Sequence, residues 1–121
     1  MISQEQFETV VRHSRKMKER AVDPDGSGMS CRYRTETGNR CFSGVLIPDE
    51  VYMQAMENTG ACILGQKFPE LVPLLGTSGI VYDWSLNKLQ GIHDNHFRER
   101  EEKLAEWAEQ YGFKMPEKEV T

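Results

Sequence analysis

The chain has no apolar run approaching the ~20 residues of a membrane-spanning helix, and only three of its 121 residues are cysteine. The first absence excludes a helical membrane protein. The second, an odd number without paired short spacing, argues against a disulfide-stapled secreted scaffold and for a reducing compartment. Catalytic signatures are missing as well: there is no Gly-rich phosphate loop, no HExxH and no GxSxG. The opening Met1-Ile2-Ser3-Gln4-Glu5-Gln6 is neither basic nor followed by an apolar signal core. The expectation is a soluble, cytoplasmic protein that is not an enzyme and carries no cofactor.

What is there suffices for one domain. A chain of 121 residues buries about two-thirds of its unfolded surface around a single core, so neither a disulfide nor a metal is needed to fold it. The formal net charge of −4 conceals an asymmetry. Residues 12–40 hold eight basic and four acidic side chains, which leaves seven basic and fifteen acidic elsewhere from totals of 15 and 19. A bipolar chain of this kind is a poor nonspecific nucleic-acid binder, but a local basic patch can hold a phosphate-bearing ligand. Pairing of the basic region of one subunit with the acidic tail of another offers a route to a homo-oligomer.

The segment Cys31 to Pro48 reads as a β-hairpin. Gly38 suits the left-handed position of a three-residue loop, Glu36-Thr37-Gly38, and a two-residue loop would force β-branched Thr37 into positive φ. That register sets Tyr33 opposite Cys41, Arg32 opposite Phe42 and Arg34 opposite Arg40. Alternation then assigns Cys31, Tyr33, Cys41, Val45 and Ile47 to a core face, and Arg32, Arg34, Arg40 and Phe42 to an outer face. Three guanidinium groups side by side need neutralising, by acidic neighbours or by a bound anion, and Arg is well shaped for bidentate contact with phosphate or carboxylate.

The helices are signalled by caps and period. Ser3 and Gln6 form a capping box, Ile2 and Phe7 a hydrophobic staple, and Phe7, Val10, Val11, Ser14, Met17 and Ala21 follow the helical repeat, which predicts a helix ending near Arg20 to Val22. Asp23 to Gly28 reads as a turn or linker. A short helix is expected from Pro48 to Met56. Lys67 to Leu75 reads as one or two helical turns broken by Pro69 and Pro73 and closed by Gly76. Leu86, Leu89 and Ile92 predict a helix from about Asp83 to Asn95, and Leu104, Trp107, Ala108 and Tyr111 one from about Phe97 to Tyr111, with Gly112 following and a polar tail from Lys114. The overall expectation is a single α+β domain over residues 1–121: an N-terminal helix (1–22), a β-hairpin (29–47), a helical middle (48–95), a C-terminal helix (96–112) and a tail (113–121).

His93-Asp94-Asn95-His96 is the other cluster of reactive groups. With Cys31 and Cys41 the two histidines form a Cys2His2 set of zinc-capable types, but nine residues between the cysteines is unlike the short-spaced pairs of zinc modules, so no metal is expected. On a helix, adjacent His93 and Asp94 are expected to point apart rather than pair as a dyad.

The run Cys31-x-Tyr33-Arg34, Gly38-x-Arg40-Cys41-x-x-Gly44-x-Leu46-Ile47-Pro48-Asp49-Glu50-x-Tyr52, Met56-Glu57 and Leu89-Gln90-x-Ile92-His93-Asp94 resembles a family of small proteins of bacteria and their phages that has no established activity. The likeness covers roughly residues 29–95. It implies Arg34, Arg40, Asp49, His93 and Asp94 as positions of a shared polar site. Small phage proteins often bind a host protein or sequester a signalling molecule, a form of host defence evasion. The leading expectation is therefore a ligand-binding protein that sequesters an anionic, nucleotide-like molecule through Arg32, Tyr33, Arg34, Arg40, Phe42, Asp49, His93 and Asp94. The alternatives are an interaction module or inhibitor docking on a host protein through its basic N-terminal or acidic C-terminal helix, and a zinc- or Cys-dependent enzyme.

Overall fold

The computed structural model describes residues 1–22, 32–35, 38–78 and 82–118. The expected linker at 23–28, Cys31, loop residues Glu36 and Thr37, and the tip of the tail lie outside the described residues. Among the described residues the molecule is built of α-helices and 3-10 turns without a β-strand. The helices are α1 (Gln4–Lys16), α2 (Leu64–Lys67), α3 (Val72–Leu75), α4 (Trp84–Asn95) and α5 (Arg100–Tyr111).

The α+β expectation is thereby overturned, and the reason lies in where the backbone donors go. The hairpin shrinks to one antiparallel pairing of Arg34 with Arg40. That pairing is the register of the three-residue loop, and Gly38 has the positive φ of 92° assigned to it. Among the described residues the ladder stops there. The N–H groups of Tyr33 and Arg34 donate to the two carboxylate oxygens of Glu57 at 2.9 and 3.0 Å. On the other arm Val45 N–H returns to the Cys41 carbonyl and Leu46 N–H to that of Ser43, so Gly44–Leu46 coils into a 3-10 turn. Alternation fails with it: neighbours Cys41 and Phe42 are both fully buried, which removes Phe42 from the arginine face.

Helix α1 starts as its cap dictates. Ser3 Oγ accepts from Gln6 N–H and Gln6 Oε1 accepts from Ser3 N–H, while Ile2 and Phe7 are both buried. It ends at Lys16, earlier than the apolar period suggests. The guanidinium of Arg100 takes the carbonyls of Ser14 and Met17 at 3.1 and 2.7 Å, and Ala21 N–H donates to the His93 ring instead of to the Met17 carbonyl. Tertiary partners thus replace the i→i−4 bond that a longer helix needs.

The expected helix from Pro48 does not form either. Val51 and Tyr52 N–H both turn back to the Pro48 carbonyl, Met53 is extended, and a 3-10 turn follows over Gln54–Asn58. Pro69 and Pro73 interrupt the next segment as short turns, and Gly76 closes it in the left-handed region. Asp83 caps α4 through Leu86 N–H, and left-handed Gly112 ends α5.

The core joins these pieces. Phe7 of α1, Trp107 of α5 and Phe113 stack in a triad with ring centroids 5.1 to 5.6 Å apart. Trp107 Nε1–H donates to the Ser85 carbonyl at 3.0 Å and so ties α5 to α4. Leu86, Leu89 and Ile92 of α4 and Leu104 of α5 are buried in the same apolar core.

Two glycines make opposite tests of this packing. A Cβ on Gly44 would collide with the backbone of Tyr33, whereas one on helical Gly91 meets nothing closer than the Asn95 amide at 3.9 Å. Gly44→Ala is expected to destabilise by about 3 kcal/mol, and Gly91→Ala to stabilise by about 0.5–1 kcal/mol. Chemical denaturation of the two variants checks both signs.

Candidate functional site

The three arginines of the expected anion face do not act as one group. Each is drawn to a carboxylate. Arg32 Nε lies 3.7 Å from Glu57, and Arg34 and Arg40 share Asp49 Oδ1 through their Nη2 atoms at 2.9 and 3.0 Å. Glu57 is the organising acid: its buried carboxylate also accepts the Tyr52 hydroxyl. Arg34 is held on three sides, by Asp49, by the Ile47 carbonyl at 2.7 Å and by the ring of Tyr52 at 4.5 Å from its guanidinium carbon.

Tyr33 is buried and its hydroxyl donates to the Thr59 carbonyl at 2.5 Å. Burial, with Cys41 and Glu57 adding to it, pushes its phenol far above the ordinary value. Its ring forms wall, not a stacking platform. Phe42 lies edge-on to His93 with centroids 5.3 Å apart.

His93 and Asp94 belong to a different construction. Adjacent on α4, they pair after all: His93 Nδ1 sits 2.8 Å from Asp94 Oδ1. Asp94 bends back because the same oxygen also accepts from Gln90 Nε2, one turn earlier on the same face, at 2.9 Å. Since Ala21 N–H donates to His93 Nε2 at 3.0 Å, the ring proton is on Nδ1. Gln90 Oε1 accepts from Ser43 N–H at 2.9 Å, which completes a chain from Ala21 through α4 to Ser43, buried at both ends and open to a cleft at Asp94. Both His93 nitrogens are spent on protein partners, and among the described residues no three His, Cys, Asp or Glu side chains gather as a metal cage. Cys31 lies outside them.

Two open clefts flank these elements. One, of about 680 Å³, is lined by Arg20, Arg32, Glu57, Gln90 and Asp94 among others and is of mixed charge. The other, of about 500 Å³, lies between the end of α1 and the loop at Gly38. Among the described residues it is lined by His13, Lys16, Lys18 and Arg40 against a single acid, Glu19. Neither lysine has an ion-pair partner among the described residues. His13 sets the geometry, with Nε2 2.6 Å from the Arg40 carbonyl, so the α1 end and the arginine arrive together.

Of the eight residues expected from the sequence, Arg34, Arg40 and Asp49 form one cluster; Arg32, Tyr33 and Asp94 line the mixed cleft; Phe42 and His93 are core. Sequence reasoning missed His13, Lys16 and Lys18 as a set with Arg40. The excess of basic residues over 12–40 was the signal, but no local pattern says that α1 meets the loop.

Two expectations follow for stability. Glu57→Ala strips the partner from two backbone donors and a half-buried arginine and is expected to cost about 3–5 kcal/mol, read as a lowered denaturation midpoint. His13 is held below its ordinary value of 6.5, first by burial and then by His93, Arg40 and Lys16, against the upward pull of its Arg40 carbonyl bond. In the window below 6.5 the unfolded chain therefore binds more protons than the native one, and stability is lost as pH falls through it. Glu101, lowered chiefly by its hydrogen bond to Arg15, acts in the same direction at lower pH. His13→Gln is expected to flatten the upper part of that pH profile, followed by urea denaturation at a series of pH values.

Comparison with protein-family models, with curated proteins and with solved structures finds no match to this chain.

Proposed function

We propose that the chain is a non-enzymatic, cytoplasmic binding protein that takes up a phosphate-bearing, nucleotide-like small molecule, its phosphate in the basic cleft of Lys16, Lys18 and Arg40. The observation that carries this reading is the charge balance of that cleft. Lys16, Lys18 and Arg40 line an opening of about 500 Å³ in which Glu19 is the one carboxylate among the described residues. Arg32 and Arg34 face carboxylates outside this cleft, and Arg40 is held at its edge by the exposed Asp49, while Lys16 and Lys18 have no ion-pair partner among the described residues. Like charges gathered in one cleft repel one another, and an anion relieves the repulsion through charge-assisted hydrogen bonds. The volume falls within the roughly 300–1,000 Å³ of small-molecule sites.

Sequestration of such a molecule in a host cell suits a phage setting. A Cys-dependent activity lacks support at Cys41, whose thiol is buried and pushed far above its ordinary value by that burial. Docking on a host protein is the second reading. It is favoured by one observation, the stacked pair Tyr82 and Trp84, whose rings lie 5.6 Å apart while 52% and 62% exposed; such aromatics are typical interaction anchors.

Calorimetric titration with inorganic pyrophosphate and a nucleoside diphosphate tests the first reading. Binding is expected to weaken with salt and to fall roughly tenfold or more in Lys16→Ala/Lys18→Ala. Absence of binding to either probe rejects it, and a stoichiometric host protein lost on Trp84→Ala would install the second reading.

A further inference from the structure

We propose that Asp49 competes with the ligand for Arg40 and thereby restricts the cleft to doubly charged phosphate groups, excluding carboxylates; this rests on the reading of the basic cleft as the anion site. Arg40 belongs to two places at once. It lines the cleft with Lys16 and Lys18, and its Nη2 is held by Asp49 at 3.0 Å. Asp49 offers that hold with a single oxygen, Oδ1, shared with Arg34.

The two arginines are unequally fixed. Arg34, with a side chain 17% exposed, keeps the Ile47 carbonyl and the Tyr52 ring whatever Asp49 does. The Arg40 side chain is 36% exposed and Asp49 is 73% exposed, so their pair is screened and contributes little. When Arg40 leaves for the cleft, Asp49 retains Arg34. No charge is stranded by the exchange.

This arrangement sets a threshold for the incoming anion. A carboxylate in solution would give Arg40 what Asp49 already gives it, a single negative charge, and would in addition lose its translational freedom on binding. A phosphate monoester brings up to two charges and three acceptor oxygens. These can engage Arg40 together with Lys16 and Lys18. Asp49 is thus an internal competitor that dianionic groups overcome and monoanionic ones do not.

Titrations of wild type and Asp49→Asn with pyrophosphate and with acetate read this out, with Asp49→Ser as a second variant at the same exposed turn. Wild type is expected to bind pyrophosphate and not acetate. Both variants are expected to bind pyrophosphate several-fold more tightly, and to gain measurable acetate binding that Arg40→Ala abolishes. If pyrophosphate binds wild type and is lost in Lys16→Ala/Lys18→Ala, yet Asp49 variants bind no more tightly, the competition is overturned and the cleft reading stands. If neither wild type nor the Asp49 variants bind pyrophosphate, both fall.

Discussion

The carboxylate of Glu57 is the contact on which the middle of this molecule turns. Backbone N–H groups withdrawn from water must find acceptors, and those of Tyr33 and Arg34 find Glu57 instead of a partner strand. One acid accepts both donors. Tyr33 and Arg34 are therefore held against the 3-10 turn at Gln54–Asn58, and among the described residues the pairing is not extended as a sheet. The close approach of Gly44 to the Tyr33 backbone then locks the returning arm in a coil.

The same economy governs the charges. Asp49 and Glu57 take up the arginines of the loop, Arg100 caps α1, and Arg15 reaches Glu101 with two nitrogens at 3.0 and 2.8 Å as well as the carbonyls of Pro116 and Glu117. Guanidinium suits these tasks because it can serve several acceptors at fixed angles. Lysine makes no such fork, and Lys16 and Lys18 at the end of α1 are exposed and have no ion-pair partner among the described residues.

The hydrogen-bonded chain from Ala21 through His93, Asp94 and Gln90 to Ser43 has a complementary role. It fixes the segment after α1 and the turn before Gly44 to one face of α4 with directional bonds, where apolar packing alone would leave their register loose. Because α1 ends where it does, His13 meets the Arg40 carbonyl and the basic cleft exists. The polar core and the site are linked through the position of that helix end.

Much of this was written locally in the chain. The Ser3 capping box, the Asp83 cap, Gly38, Gly76 and Gly112 at positive φ, and the apolar stripes of α1, α4 and α5 all act across a few residues, so their signals stand in the sequence without knowledge of the rest. The pairing of Arg34 with Arg40 belongs with them, since a three-residue loop dictates it. What only the tertiary structure decided is where distant acceptors and donors intervene: Glu57 dissolving the hairpin, His93 and Arg100 shortening α1, Gln90 drawing Asp94 onto its neighbour, and Phe42 entering the core. A local propensity is worth a fraction of a kcal/mol per residue, about 0–0.7, whereas a buried donor left unpaired costs about 1–3 kcal/mol. The long-range partner wins at each of those places, and no periodicity in the sequence announces it.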